Sequence, residues 1–179
     1  MASLSKAIFL DRDGVINHDP GDYTKSIEEF TLLPTALDAL KELHSHGYKL
    51  ILITNQGGIA KGLYSHEDVN TIHAHFRSKC AEKGIEITDI FYSPHHPDFG
   101  ESLTRKPGGL MIEKACAKHR IDPAQSWMIG DKETDIIAAN SAGIHNTILI
   151  KNDTSQEELR SNAKFILKSI KDCIQIIGI

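Results

Sequence analysis

The sequence predicts an α/β fold with a doubly wound, mostly parallel, Rossmann-like sheet that carries helices on both faces. Short apolar runs alternate with longer amphipathic stretches along the chain, and such alternation favours parallel strands joined by crossover helices. The chain has 179 residues, of which 40% are hydrophobic, and a chain of that length usually builds one core rather than two. Residues 1–179 are therefore predicted to form a single domain.

The first half of the chain supplies three predicted strands and two predicted helices. The strands are short apolar runs, and each helix has apolar residues three or four positions apart and a glycine directly after its end. In order, these elements are a strand at 7–10, a helix at 34–46, a strand at 49–54, a helix at 66–83 and a strand at 85–92.

The second half begins with a proline-rich loop at 91–109 and then continues the same alternation. The elements after the loop are a helix at 109–119, a strand at 126–129, a helix at 132–141 and a strand at 146–150. The tail is predicted to add a small acidic helix near Ser155, a short strand at 164–167 and a last helix at 169–177.

Composition excludes several classes of partner. The net charge is -4 and no Lys/Arg-rich run occurs, so a nucleic-acid partner is not expected. The sequence has neither an apolar run of membrane-spanning length nor a signal-peptide pattern, and this predicts a protein without a membrane partner. The three cysteines are scattered and are interpreted as buried residues of a reducing compartment. We expect a cytoplasmic monomer.

Four polar motifs follow predicted strands, where ligands of such sheets bind. In the first, FLDRDGVIN, Asp11 and Asp13 stand two positions apart, so their side chains are expected to leave on the same side and that of Arg12 on the other. Two carboxylates this close repel each other unless a cation neutralises them, and Mg²⁺ binds carboxylates together with phosphate oxygens. For this motif alone, an acidic turn without a metal is the alternative.

The second and third motifs are suited to phosphate. LITNQGG ends a strand on Thr54 and Asn55, whose polar groups can bind phosphate oxygens, although a capped glycine turn is an equal alternative. In TRKPGG, Arg105 and Lys106 precede Pro107, a residue suited to the first turn of the next helix. Lys106 would then reinforce a helix N-terminus at an anion site. A solvated surface pair is the alternative there.

The fourth motif, MIGDKETDI, places Asp131 at a strand end and Asp135 one helical turn later. Asp131 is positioned to complete a Mg²⁺ site that Asp11 begins. Asp135 either supports the metal ligands or caps the helix. Because all four motifs fall at strand ends, we interpret them as one metal and phosphate site.

These motifs resemble those of the haloacid dehalogenase-like phosphatase superfamily. The matching positions are Asp11, Asp13, Thr54, Lys106, Asp131 and Asp135. More narrowly, FLDRDGVIN, TNQGGIAKG, PHHP, RKPGG and GDKETD resemble the D-glycero-D-manno-heptose 1,7-bisphosphate phosphatases and the related histidinol-phosphate phosphatases. The resemblance covers nearly the whole chain and implies a fold without a large cap domain.

The resemblance implies a Mg²⁺-dependent phosphatase that works through an aspartyl-phosphate. Asp11 is the implied nucleophile, and Asp13 is the implied general acid and base. Thr54 and Lys106 would hold the transferring phosphoryl group. The implied Mg²⁺ ligands are Asp11, the backbone carbonyl of Asp13, and Asp131.

The implied substrate is D-glycero-D-manno-heptose 1,7-bisphosphate, which would lose its 7-phosphate in ADP- or GDP-heptose biosynthesis for surface polysaccharide such as lipopolysaccharide. Histidinol phosphate is one alternative, and a catalytically silent phosphate-binding domain is another. Arg105 is the candidate for the second phosphate, because its guanidinium can bind phosphate bidentately. The implied substrate-binding residues are Asp19, Pro20, Gly21, Asp22, Asn55, Gln56, Gly57, Arg105 and Lys132.

The chain departs from this family in the loop before Arg105. Members commonly hold a structural zinc there through a Cys-x-His and a Cys-x-Cys pair. This chain has Ser93, His95, Ser102 and Thr104 at those positions, and hydroxyl groups are poor zinc ligands. We therefore expect no structural zinc, and we interpret His95 and the neighbouring His96 as loop-shaping or substrate-facing residues.

Overall fold

The computed structural model describes residues 3–151 and 161–179, which form one six-stranded sheet. The strand order is β3-β2-β1-β4-β5-β6, and every neighbouring pair is parallel. The strands are β1 (Ala7–Leu10), β2 (Lys49–Asn55), β3 (Ile87–Ser93), β4 (Trp127–Gly130), β5 (Asn146–Ile150) and β6 (Phe165–Leu167). The helices are α1 (Ala36–Ser45), α2 (His66–Ala81), α3 (Leu110–His119), α4 (Glu133–Ser141) and α5 (Cys173–Ile177). The predicted α/β fold is confirmed.

Helices cover both faces of the sheet, so the central strands β1, β2, β4 and β5 are largely buried on each side, while the edge strands β3 and β6 are partly exposed. Ile8 and Leu10 belong to a core that contains residues of α1, α2 and α5. Ala7 and Phe9 belong to a second core, built with residues of α3 and α4. Successive strand residues point to opposite faces, which is why the strands are continuous apolar runs in the sequence.

Most predicted elements are present with ends shifted by one or two residues, and β1 and β5 have the predicted bounds. The predicted last helix is a 3₁₀ turn, Ile170–Asp172, followed by the shorter α5. The loop contains a 3₁₀ turn, Pro97–Phe99. The acidic helix predicted near Ser155 lies outside the described residues.

Pro107 does not have its predicted place. It follows a cis peptide bond from Lys106, and α3 begins only at Leu110, with Gly109 as its N-cap. The prediction that Pro107 lies in the first helical turn is therefore wrong. The side chain of Lys106 does not lie at the N-terminus of α3; contacts described below direct it towards the sheet.

The sheet topology brings the motifs together. From β1 the chain continues to β2 on one side, while β4 pairs with β1 on the other side, and the crevice at such a switch point is where open α/β sheets bind ligands. Asp11 follows β1, Thr54 lies near the end of β2, and Asp131 follows β4. Across the described residues, the helices are too short or too polar to span a membrane.

Candidate active site

A cavity of about 1040 Å³ opens at the carboxyl ends of the strands. It brings together residues of all four motifs. The predicted site residues that line it are Asp11, Asp13, Asp19, Gly21, Asp22, Thr54, Asn55, Gly57, Arg105, Lys106, Lys132 and Asp135. Pro20, Gln56 and Asp131 are not in its lining, although Asp131 lies beside it in the carboxylate cluster.

Asp11, Asp131 and Asp135 form this carboxylate cluster, with one oxygen of each lying within 4.8 Å of the others. Asp131 Oδ1 is buried and has no hydrogen-bond partner among the residues that the structure describes. Burial, followed by the charge of Asp11, raises the pKa of Asp131 to about 8. A hard cation would neutralise these carboxylates and coordinate the unpaired oxygen. The donor set therefore fits Mg²⁺.

Two glycines make room for this cluster. Gly14 has a φ of 84°, and a Cβ on it would lie 2.5 Å from Asp131 Oδ2. A Cβ on Gly130 would collide with the side chain of Asp135. Any larger residue at either position would displace a carboxylate of the cluster.

Lys106 supplies a buried positive charge at the nucleophile position. Its Nζ lies 2.8 Å from Asp11 Oδ1 and 2.5 Å from Asp135 Oδ1, and it donates to the carbonyl oxygen of Ile53 at 2.6 Å. Burial opposes the charged form, but Asp11 and Asp135 outweigh it and raise the pKa of Lys106. The side chain is buried, so the solvated-pair alternative is wrong for Lys106.

Asn55 holds the backbone of Lys106 in place. Its Nδ2 donates to the carbonyl of Lys106, and its Oδ1 accepts from the backbone N–H of Lys106, both at 3.0 Å. Asp135 caps α4, because its Oδ2 accepts from the backbone N–H of Lys132 at 3.0 Å. Its side chain also lies in the carboxylate cluster, and its support of the metal ligands stays a prediction.

The Asp13 carboxylate is neutralised by Arg12, which is completely buried. Arg12 Nη2 lies 2.9 Å from Asp13 Oδ2, while Asn17 Nδ2 and Thr24 Oγ1 donate to Oδ1 at 2.9 and 3.0 Å. Burial alone would raise the pKa of Asp13, but the charge of Arg12 and these hydrogen bonds lower it. The Asp13 side chain is therefore neutralised by Arg12, and the Asp135 side chain joins Asp11 and Asp131 in the cluster. The predicted Mg²⁺ ligands Asp11, Asp13 and Asp131 stay a prediction.

Hydroxyl groups occupy three of the four positions that the family resemblance assigns to zinc ligands. Thr104 Oγ1 lies 3.2 Å from Ser93 Oγ and 2.9 Å from Ser102 Oγ. These contacts tie the end of β3 to the segment just before Arg105. Arg105 Nη1 then donates to the carbonyl of His95 at 2.7 Å, so the loop is ordered by hydrogen bonds. The expected absence of zinc stays a prediction.

Other residues of the site were not identified from the sequence. Lys61 and Tyr23 line the cavity. Lys61 lies in the TNQGGIAKG motif, so the sequence contains a pattern that could have indicated it. Arg12 and Asn17 lie in FLDRDGVIN, but alternation of side chains placed Arg12 away from Asp13. Thr24 gave no local signal, because it reaches Asp13 only through the fold.

Comparisons with known proteins agree with this geometry. The HAD-hydrolase-like family model matches residues 103–173. The chain is 37% identical over 180 residues to the D-glycero-beta-D-manno-heptose-1,7-bisphosphate 7-phosphatase of Pasteurella multocida, with 97% of each chain covered. It is 40% identical over 164 residues to the D-glycero-alpha-D-manno-heptose-1,7-bisphosphate 7-phosphatase of Photorhabdus laumondii, covering 88% of this chain and 89% of that protein.

A solved heptose bisphosphate phosphatase is similar to this chain in fold as well as in sequence. The D,D-heptose 1,7-bisphosphate phosphatase of B. bronchiseptica, crystallised with magnesium and phosphate, superposes with a TM-score of 0.87 at 30% identity. The match covers 96% of this chain and 97% of that one.

Proposed function

The chain belongs to the D-glycero-D-manno-heptose-1,7-bisphosphate 7-phosphatase family of haloacid dehalogenase-like hydrolases, and from this premise we propose how its residues carry out the reaction. The enzyme is a Mg²⁺-dependent phosphatase that removes the 7-phosphate of heptose 1,7-bisphosphate in heptose biosynthesis. One observation carries the assignment of the site: Lys106 Nζ lies 2.8 Å from Asp11 Oδ1 beside a cluster of three carboxylates.

Asp11 is the proposed nucleophile. Lys106 engages one of its oxygens, which leaves the other to attack phosphorus in line with the leaving sugar oxygen. The new bond joins the Asp11 carboxylate to phosphorus, and the bond between phosphorus and the sugar oxygen breaks. Water then attacks the aspartyl-phosphate, and inorganic phosphate leaves while Asp11 is restored. Mg²⁺ held by Asp11, Asp131 and the Asp13 carbonyl would supply charge neutralisation for the carboxylates and the phosphoryl group.

Asp13 is the proposed general acid and base. It would give a proton to the leaving sugar oxygen and later take one from the attacking water. Its lowered pKa keeps it ionised in the free protein, which suits the second step. A phosphate dianion beside it raises the pKa of a carboxyl group by like-charge repulsion, and this favours the protonated form that the first step requires.

Thr54 and Lys106 are the proposed ligands of the transferring phosphoryl group. The Thr54 oxygen accepts a hydrogen bond from Gln56 Nε2 at 2.9 Å. Its own proton is therefore free to be donated to a phosphate oxygen. Lys106 adds a buried positive charge where negative charge must be held, and such fixed charge provides much of the acceleration in phosphoryl transfer.

The far wall of the cavity is proposed to bind the sugar and the second phosphate. Arg105 and Lys61 supply positive charge to the cavity lining. Lys132 also lines the cavity, and its Nζ lies 3.0 Å from Asp19 Oδ2 and 3.6 Å from Asp131 Oδ2, beside the carboxylate cluster. Lys61 and Lys132 have carboxylate partners in Asp98 and Asp19, whereas no carboxylate of the described residues pairs with Arg105. Histidinol phosphate carries one phosphate and would leave the Arg105 guanidinium without an anionic partner. The cavity therefore favours a bisphosphate substrate, with Arg105 as the principal contact for its second phosphate.

A steady-state screen tests this function. Both anomers of the heptose 1,7-bisphosphate and histidinol phosphate are compared at saturating Mg²⁺, with phosphate release as the readout. We expect a higher kcat/KM for a heptose bisphosphate than for histidinol phosphate, and the reverse order would reject the substrate assignment. The monomeric state and cytoplasmic location remain proposals, to be checked by sedimentation and cell fractionation.

A further inference from the structure

Gln56 has a buried side chain whose polar atoms are all engaged inside the protein. It is 1% exposed. Its Nε2 donates to Asp13 Oδ2 at 3.2 Å and to Thr54 Oγ1 at 2.9 Å. Its Oε1 accepts from Arg12 Nη2 at 3.2 Å and from Tyr64 Oη at 2.9 Å. An amide has two donor hydrogens and two acceptor sites, so this side chain has no hydrogen-bonding capacity left for a substrate.

The partners fix the orientation of this amide. Arg12 can only donate, and the Asp13 carboxylate can only accept. The Gln56 oxygen must therefore face Arg12, and its nitrogen must face Asp13. A flipped amide would place two donors together at Arg12 and two acceptors together at Asp13.

Tyr64 holds the side-chain oxygen of Gln56 in place. Its hydroxyl donates to Gln56 Oε1 and accepts from the backbone N–H of Gly58 at 3.3 Å. Burial raises the pKa of Tyr64 to about 12, so the hydroxyl keeps its proton throughout the working range of pH. Tyr64 lies eight residues from Gln56, at the far end of the glycine turn that follows β2.

We propose that Gln56 is a positioning residue that holds the Asp13 carboxylate and the Thr54 hydroxyl in register, and that Tyr64 anchors it. This inference rests on the proposed roles of Asp13 and Thr54. It replaces the expectation that the Gln56 side chain contacts the sugar, because that side chain neither lines the cavity nor has a free polar atom.

The two contacts of Gln56 make different contributions to the reaction. Thr54 would bind the phosphoryl group of every substrate, so its displacement slows all esters. Proton donation by Asp13 matters most when the leaving oxygen is a poor leaving group, as in a sugar phosphate, and little for 4-nitrophenyl phosphate. Loss of Gln56 must therefore slow the sugar phosphate more than the aryl ester.

The test compares kcat/KM for both esters in the full-length, Mg²⁺-loaded enzyme, because this constant covers only the steps up to formation of the aspartyl-phosphate. The variants are Gln56→Glu, Gln56→Leu and Tyr64→Phe. Gln56→Glu keeps the side-chain volume and the acceptors for Arg12 and Tyr64 but removes both donors. General acid catalysis typically contributes about 10²- to 10⁴-fold, so the ratio of sugar to aryl ester should fall roughly tenfold or more in both Gln56 variants. Tyr64→Phe should show a smaller fall.

Ser126→Ala is the matched control. Ser126 is also completely buried and hydrogen-bonded, but it lies at the opposite end of the sheet, so its loss should lower the melting temperature without changing the ester ratio. Equal losses on both esters in Gln56→Glu, or no loss on either, would overturn the inference. Failure of the proposed function is a separate result, namely no heptose bisphosphate turnover by the wild type, and the ratio is then measured with any alkyl phosphate that the enzyme does hydrolyse.

Discussion

His73 should make the stability of this enzyme depend on pH between about 6.5 and 3. Its ring is 6% exposed, and its Nε2 lies 3.4 Å from Arg12 Nη1. Burial, followed by the charge of Arg12, lowers the pKa of His73 to about 3, whereas in the unfolded chain it is about 6.5. The neutral ring allows Arg12 to keep its charge for Asp13 without a second cation beside it.

The sign and size of the effect follow from these two pKa values. Between them the unfolded chain binds a proton at His73 that the folded protein does not bind, so falling pH favours unfolding. At pH 5 the difference amounts to about 2 kcal/mol relative to pH 8. For a chain of this length, 1 kcal/mol corresponds to about 2–4 °C in melting temperature.

Urea unfolding of the wild type and of His73→Gln at pH 5 and at pH 8 measures this contribution. The wild type should lose about 2 kcal/mol more than the variant between the two values of pH, because other titrating groups affect both proteins alike. His145→Gln, at an exposed histidine, is the matched control and should lose as much as the wild type. Equal losses in His73→Gln and the wild type would refute the reasoning.

Three further predictions concern the metal, the second phosphate and the loop. Mg²⁺ should raise the melting temperature of the wild type and have little effect on that of Asp131→Asn, because the variant lacks a charged ligand. Calorimetry with and without Mg²⁺ measures both melting temperatures, and an equal rise in the two proteins would count against the cluster as the metal site. Arg105→Met should raise KM for the heptose bisphosphate about 10- to 100-fold, since hydrogen bonds to charged groups contribute about 1.5–3 kcal/mol. KM for 4-nitrophenyl phosphate should stay nearly constant, and equal changes in the two KM values would place the second phosphate elsewhere. Thr104→Val should lower the free energy of unfolding by about 1–2 kcal/mol through two lost hydrogen bonds. Elemental analysis of the wild type should find no stoichiometric zinc, and retained zinc would mean that the loop is not ordered by its hydroxyl groups.

The sequence predicted the strands and the motif residues at their ends because both depend on local patterns. A buried parallel strand is a short apolar run, and the residues that follow it are directed to one edge of the sheet. Asp11, Thr54 and Asp131 are therefore predictable from the sequence alone. Their convergence at one site then followed from the strand order.

The errors arose where local rules ceased to apply. Arg12 was expected to point away from Asp13, but β1 ends at Leu10, and the alternation of side chains holds only within a strand. The motif alone predicts Gln56 as a substrate contact, and it cannot indicate that the side chain is buried against Tyr64 and Arg12, which approach through the fold. Lys106 is buried through contacts with Asp11 and Asp135, which no pattern near Pro107 could indicate.

Product analysis of wild type and Asp11→Asn tests the central claim most directly. Each protein is incubated with the heptose 1,7-bisphosphate and Mg²⁺, and phosphorus NMR identifies which phosphate remains on the sugar. The wild type should yield heptose 1-phosphate, and Asp11→Asn should be slower by on the order of 10³-fold or more while its circular dichroism spectrum is unchanged. Retention of the 7-phosphate, or undiminished turnover by Asp11→Asn, would contradict the account.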